Sequence, residues 1–257
     1  MAKLTVEIVP VLSDNYVFLL HEPNSGATAA VDPAVPGPVI EALAAKGWRL
    51  SHIFNTHHHA DHTGGNRELQ RATGCAVVGA RRDADRIPGI TVEVRNGETF
   101  LLGSAAARVF DVPGHTIGHI AYWFPDSEAL FCGDTLFSLG CGRLFEGTPD
   151  QMWRSLVTLR DLPAATRVFC AHEYTQSNGR FARLVERGNP ALTARLDEVD
   201  ALRATGQPTV PSTIASERAC NPFLRADQPT VARAVGMEPG ADPLAVFTEL
   251  RRRKDVF

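Results

Sequence analysis

No Cys-x-x-Cys pair occurs in this chain of 257 residues, and its five cysteines, Cys75, Cys132, Cys141, Cys170 and Cys220, are odd in number and widely scattered. That distribution argues against a disulfide framework and against a zinc site built from thiolates. It fits reduced thiols that pack as small hydrophobes, and a cytoplasmic location is expected. No apolar run approaches the roughly 18 residues that span a bilayer. The opening Met1-Ala2-Lys3-Leu4-Thr5-Val6-Glu7 lacks the charged-then-apolar layout of a signal peptide. An excess of basic charge is also missing: the formal net charge is -3, so no overall positive field recommends nucleic acid as a partner. Neither an internal repeat nor a low-complexity segment interrupts the chain.

What is present is an ordinary soluble composition, 44% hydrophobic and 21% charged, long enough for one large domain or one domain with an appendage. Up to about residue 172, short apolar runs alternate with turn residues. Leu4 to Val9, Val17 to His21, Thr28 to Val31, Ile53 to Asn55, Cys75 to Val78, Thr99 to Leu102, Arg108 to Val112, Ile120 to Phe124, Ala129 to Cys132 and Arg167 to Ala171 read as strands. Helical patterns at Pro38 to Lys46 and Gly64 to Ala72 stop near Gly47 and Gly74. A third begins at Thr148-Pro149-Asp150-Gln151, where Thr148 suits an N-cap, Pro149 the first helical position and Gln151 the return bond of a capping box. After Thr175 no convincing strand remains. Phe181 to Glu186, Leu192 to Ala204, Thr230 to Val235 and Leu244 to Lys254 read as helices, with Pro208 and Pro211 breaking the tail between them. The expected division is a mixed α/β domain at 1–172 and a helical domain at 173–257.

The chemistry concentrates in Thr56-His57-His58-His59-Ala60-Asp61-His62, which follows one of these strands and precedes Gly64-Gly65. In an extended stretch side chains two apart face the same way, so His57 and His59 can share one metal ion, and Asp61 continues the alternation. Four nitrogen and oxygen donors in six residues exceed what one tetrahedral ion with an open position accepts, and two ions are the simpler arrangement. Three later strands each end in a further candidate ligand: His115 in Pro113-Gly114-His115-Thr116, Asp134 in Gly133-Asp134-Thr135, and His172 in His172-Glu173-Tyr174. Their repetition at strand ends indicates one edge of a sheet sandwich on which several strands converge.

These motifs, in this order, resemble the metallo-β-lactamase family and, within it, glyoxalase II, the hydroxyacylglutathione hydrolases. The likeness covers nearly the whole chain and extends to Ser13-Asp14-Asn15-Tyr16, Gly140-Cys141-Gly142-Arg143, Asn221-Pro222-Phe223-Leu224-Arg225 and Arg251-Arg252-Arg253-Lys254-Asp255. It implies an αββα sandwich with a C-terminal α-helical domain. It implies one metal on His57, His59 and His115, a second on Asp61, His62 and His172, and Asp134 bridging the two. Zinc is expected first, with iron and manganese acceptable to the same donors. His58, His119 and Asp32 are candidates to orient the ligating imidazoles.

The reaction implied is hydrolysis of an S-(2-hydroxyacyl)glutathione thioester, S-lactoylglutathione to D-lactate and glutathione, by a metal-bridging hydroxide that Asp61 orients, with Asp134 catalytic as the bridge between the metals. It would serve methylglyoxal detoxification. In the family the glutathione pocket uses the Gly-Cys-Gly-Arg loop, the tyrosine after His-Glu and two basic residues near the C-terminus. Here these are Arg143, Tyr174, Arg251 and Lys254, the last two sharing a helix face. Arg143 stands where a lysine can occur, and Phe145 where a tyrosine can. A monomer acting on a glutathione thioester, without nucleic acid or membrane partners, is the expectation. Three other readings stay open: a lactone, β-lactam or phosphodiester hydrolase on the same fold, a mononuclear iron oxygenase of glutathione persulfide, and a binding module using the terminal basic run.

Overall fold

A computed structural model describes residues 3–257. Met1 and Ala2, the start of the segment that lacks a leader pattern, lie outside the described residues. The chain divides into two compact units. The first holds the chain up to Asp111 together with Gly118–Gly133, and the second holds Val112–Ile117 and Asp134–Phe257.

The first unit is built on strands. β1 (Thr5–Val11) and β2 (Asn15–His21) form an antiparallel hairpin, and β3 (Thr28–Val31) adds antiparallel to β2. Helix α1 (Pro36–Lys46) then carries the chain to β4 (His52–Phe54), which lies parallel to β3. A single helical turn, α2 (Ala60–Thr63), and α3 (Asn66–Thr73) lead to β5 (Ala76–Ala80), parallel to β4, and β6 (Val92–Val94) follows parallel to β5. Parallel neighbours need a crossover, which α1 supplies between β3 and β4 and α2 with α3 between β4 and β5. β7 (Thr99–Leu102), β8 (Ala105–Asp111), β9 (Ile120–Phe124) and β10 (Ala129–Gly133) are antiparallel neighbours in a second sheet.

The two sheets meet through aromatic side chains. Phe54 stacks on Tyr122 at 5.1 Å and meets Phe100 edge-on at 5.5 Å, and Phe18 lies 5.7 Å from Phe131. The Tyr122 hydroxyl is satisfied by donating to the Asn55 carbonyl. On the outer side of the first sheet a separate core forms. Val17, Leu19, Ile53 and Val77 pack there with Val39 and Leu43 of α1 and Leu69 of α3. Strands covered on both sides read as near-continuous apolar runs, which is the pattern of β2 and β3.

In the second unit β11 (Leu136–Phe137) and β12 (Gly140–Cys141) make a short antiparallel hairpin. Helix α4 (Pro149–Arg160) follows, with the capping box formed: Thr148 accepts from the Gln151 N–H and the Gln151 side chain accepts from the Thr148 N–H. β13 (Arg167–Cys170) precedes α5 (Thr175–Val185) and α6 (Pro190–Ala204). β14 (Ser212–Thr213) pairs antiparallel with β13, and α7 (Ile214–Cys220), α8 (Pro229–Ala234) and α9 (Pro243–Asp255) complete the chain.

Two expectations need correction. A strand does occur after Thr175, namely β14, which is too short to show a period of two. Asp61 does not extend the alternation of His57 and His59, because the chain enters α2 at Ala60. All five cysteines are free and buried, and burial pushes the thiols of Cys141 and Cys220 up to about 11 and that of Cys170 to about 12. Among the described residues no helix is long and apolar enough to cross a membrane.

Candidate metal centre

Three parallel strands set out the donors of the first unit. Val31, Phe54 and Val78 are in register across β3, β4 and β5. Asp32 follows the first strand, the Asn55–His59 loop the second and Asp83 lies just past the third. The carboxyl ends of parallel strands are where open α/β sheets place ligands. Asp32 adopts a positive φ of 50°, a conformation that aspartate tolerates better than most residues.

In that position Asp32 organises the histidine loop. Its Oδ1 accepts from the Thr56 N–H at 2.8 Å, and its Oδ2 accepts from the Thr56 hydroxyl at 2.7 Å. Since the Thr56 hydroxyl donates to Asp32, it accepts from His57 Nδ1 at 3.1 Å. The lone pair of His57 is therefore on Nε2, which lies 3.0 Å from His59 Nδ1. Asp32 Oδ2 also receives His62 Nδ1 at 3.2 Å, which leaves the His62 lone pair on Nε2, 3.5 Å from Asp61 Oδ2. Carboxylates that fix an imidazole tautomer in this way are the usual partners of metal-binding histidines. Asn15 holds Asp61 from the other side, donating from Nδ2 to both its backbone carbonyl and its Oδ2 at 3.2 Å.

His119 stacks on His57 with centroids 4.6 Å apart and gives its Nδ1–H to the Ile120 carbonyl. Gly133, at φ 48°, leaves room for both: a Cβ there would press on Thr56 Oγ1 and the His119 ring. His58 points elsewhere, to the buried carboxylate of Asp83 at 3.1 Å, which also binds Arg86 at 2.5 Å. Asp32, His57 and His62 offer ligand atoms within 4.8 Å of one another. The hydrogen bonds Asp32 already accepts mark it as the orienting member of that trio.

The second unit brings His115, Asp134 and His172 together. His115 Nδ1 donates to the Arg143 carbonyl at 2.8 Å, so its Nε2 carries the lone pair and faces Asp134 Oδ2 at 3.5 Å. The other Asp134 oxygen, Oδ1, faces His172 Nε2 at 3.4 Å. The His172 ring stacks on Tyr174 with centroids 4.7 Å apart and meets the edge of Phe137. One carboxylate thus directs an oxygen at each of two imidazoles. The His115 lone pair and one on Asp134 repel where they face each other, and a shared cation removes that repulsion. Imidazole and carboxylate donors so arranged suit divalent metal ions.

The residues expected to bind substrate also lie in the second unit. Arg143 is exposed and reaches Asp255 at 3.6 Å, and Tyr174 is exposed beside His172. Arg251 is buried, with its guanidinium directed at Asp255 Oδ1 at 2.9 Å and at the Cys141 carbonyl at 3.0 Å, over the face of Phe223. Lys254 sits over Phe181 and Phe257 and donates to the Ser177 carbonyl at 3.4 Å. Partial burial, with the charges of Arg251 and Arg180 nearby, lowers its ammonium from 10.5 to about 8. Phe145 meets the edge of the His115 ring at 5.2 Å.

Asn15, Thr56 and Asp83 are the participants that the residue pattern did not single out. Asn15 lay within a recognised motif, Ser13-Asp14-Asn15-Tyr16, but nothing in the sequence connects it to Asp61. Thr56 was visible only as the first letter of the histidine segment.

A two-sheet sandwich whose strand ends carry this donor set defines a class, and residues 12–172 match the metallo-beta-lactamase superfamily. The fold agrees with the crystal structure of ETHE1 from Myxococcus xanthus, with a TM-score of 0.70 at 24% identity over 96% of this chain and 90% of that one. Residues 173–257 match the family described as hydroxyacylglutathione hydrolase C-terminus. The protein named hydroxyacylglutathione hydrolase in Methylococcus capsulatus is 65% identical over 97% of both chains, and the one in Rhodospirillum rubrum is 55% identical over 100% of both. The chain belongs to the hydroxyacylglutathione hydrolase family, with the metallo-β-lactamase fold followed by that family's C-terminal segment.

Proposed function

We propose that this protein hydrolyses S-(2-hydroxyacyl)glutathione thioesters, taking S-lactoylglutathione to D-lactate and glutathione in the cytoplasmic disposal of methylglyoxal. The observation that carries the reading is the near-complete overlap with a relative of that name at a level of identity that reaches both segments of the chain. The local geometry supports it. His57, His59 and His115 would hold one divalent ion, and Asp61, His62 and His172 the other. Asp134, with one oxygen toward each of two imidazoles, would serve both. Zinc at both positions is the first expectation, with iron or manganese acceptable to the same donors.

When bound, a pair of such ions lowers the pKa of a shared water to about 7 and polarises a carbonyl for attack. The protein's own groups do the rest. Asp61, steadied by Asn15, accepts a hydrogen bond from the attacking water and sets its direction. Thr56 and Asp32 keep the lone pairs of His57 and His62 on Nε2. The departing thiolate needs no dedicated acid, since a thiol pKa is about 8.5.

Residues 173–257 form the substrate-binding segment. Arg143 and Lys254 would meet the carboxylates of glutathione, and Tyr174 would offer its hydroxyl. Arg251 would contribute mainly by holding the carbonyl of Cys141 and thereby the Arg143 loop. The protein is expected to act as a monomer.

The test is hydrolysis of a panel of thioesters with elemental analysis of the same preparation. Preference for S-lactoylglutathione with two metal equivalents per chain is expected. Far greater turnover of a lactone or phosphodiester, or oxygen uptake with a glutathione persulfide, would overturn the reading.

A further inference from the structure

The hairpin formed by β11 and β12 is unusual in being buried at its turn. Ser138 and Leu139, the two turn residues, are 1% and 0% exposed. Leu139 has a φ of 60°, which a branched, non-glycine residue resists. Backbone groups withdrawn from water must find partners, and a turn this short pairs few of its own.

Here the helices of the second unit supply them. Glu217, in α7, accepts from the Leu139 N–H at 2.8 Å. The Asn221 amide nitrogen lies 3.1 Å from the Phe137 carbonyl, 2.9 Å from that of Gly140 and 3.0 Å from Glu217 Oε2. Asn178, in α5, donates to the Ser138 carbonyl at 3.1 Å. The turn is thus held on four consecutive residues by side chains from elsewhere.

Both ends of the hairpin lead to donors of the second unit. Asp134 and Thr135 enter it, and Gly142 and Arg143 leave it. The ends are tied to each other, since the Gly142 N–H donates to the Thr135 carbonyl at 3.2 Å. A Cβ at Gly142 would fall on the Asp134 carbonyl, so only glycine allows the strands to close there. The Arg143 carbonyl then fixes the His115 tautomer. One hairpin therefore sets both the Asp134 carboxylate and the His115 ring.

We propose that Glu217 and Asn221 are positioning residues for Asp134 and His115, acting through the buried turn, so that the helical segment maintains the metal-binding geometry as well as receiving substrate. The proposal rests on the reading that Asp134 and His115 bind metal. Burial pushes the Glu217 carboxyl up, which makes a neutral amide a fair replacement for it.

The experiment uses the full metal-loaded chain and measures metal release to a chelator, kcat and KM, and thermal unfolding. Glu217→Ala and Asn221→Ala are expected to release metal about 10–100-fold faster, the usual cost of losing groups that orient ligands. Their kcat should fall with the lost metal, and KM for the thioester should rise less than in Arg143→Ala, because the Arg143 side chain itself is kept. Glu217→Gln should recover most of both losses, since its amide oxygen can still accept from Leu139. Val199→Ala, in the buried face of α6, serves as the comparison for general loosening.

Parent-like metal release in Glu217→Ala, or a rise in KM alone, would overturn the proposal. So would equal metal loss in Val199→Ala at a matched fall in melting temperature. If Glu217→Ala does not fold, Asn178→Ala decides the matter by the same readouts, with faster metal release expected and none overturning. A parent protein that holds no metal would defeat the functional reading before any variant is compared.

Discussion

Between His57 and His62 the chain passes from an extended loop into one helical turn and presents four donor side chains within six residues. His115, Asp134 and His172 come from three separate loops of the other compact unit. The two groups use the same chemistry and are oriented by different means. In the first, side chains do the orienting: Asp32 and Thr56 fix His57 and His62, and Asn15 holds Asp61. In the second, the backbone carbonyl of Arg143 fixes His115, and a hairpin held from the helices carries Asp134. A dense motif can be tuned by its neighbours in the sheet. A dispersed set depends on the packing of the segments that deliver it.

That contrast can be broken most sharply at Asp134. Asp134→Ala removes the one carboxylate shared by His115 and His172, and turnover should fall by more than about 100-fold, beyond the usual cost of losing an orienting group. Bound metal should fall with it, measured by elemental analysis. An active variant with full metal content would end the idea that the dispersed set is a metal centre.

An intermediate effect separates the two modes of orientation. Asp32→Asn weakens the acceptor that fixes His62, so metal affinity should drop by about 10–100-fold in a chelator competition. Arg143→Ala leaves its backbone carbonyl in place, so metal affinity should not change and KM for the glutathione thioester should rise. Equal metal loss in both variants would erase the distinction.

The smallest effect expected is a pH dependence from Lys254. Its ammonium is lowered to about 8, so the charge is present at neutral pH and lost as pH rises through 8. KM for an anionic thioester should therefore climb between about pH 7 and 9, and Lys254→Met should flatten that climb. Stability moves the other way. The unfolded lysine, near 10.5, binds more protons than the folded one in this window, so folding is favoured as pH rises from about 8 towards 10.5. Half-exposure keeps that contribution modest. A KM profile that is flat in the parent protein would remove Lys254 from the pocket.

Much of the site was legible because its signals are local. The capping box at Thr148 and Gln151 needs only four residues, and it formed as read. The ends of β3 and β9 matched their apolar runs because buried strands of four or five residues leave an unambiguous pattern, and those of β7 matched although Thr99 and Leu101 are exposed. β11, β12 and β14 escaped notice, since two residues cannot display a period. Helix α7 escaped as well, although it brings Glu217 to the Leu139 turn. Asn221 stood in a motif that served for recognition only. Its partners, Phe137 and Gly140, are distant in sequence, and no spacing rule connects them.

The sequence by itself determined the candidate donors, their association with strand ends and the family, because residue type and short spacing fix chemistry without reference to distant contacts. Only the tertiary structure decided which nitrogen of each histidine is offered, since that depends on the acceptor facing the other one: Thr56 for His57, Asp32 for His62, the Arg143 carbonyl for His115. It also decided that Asp61 leaves the alternation of the histidines, and that a carboxylate and an amide from the helical segment hold the turn beyond Asp134. Those outcomes follow from which backbone groups burial deprives of water, and that is settled only once the chain has packed.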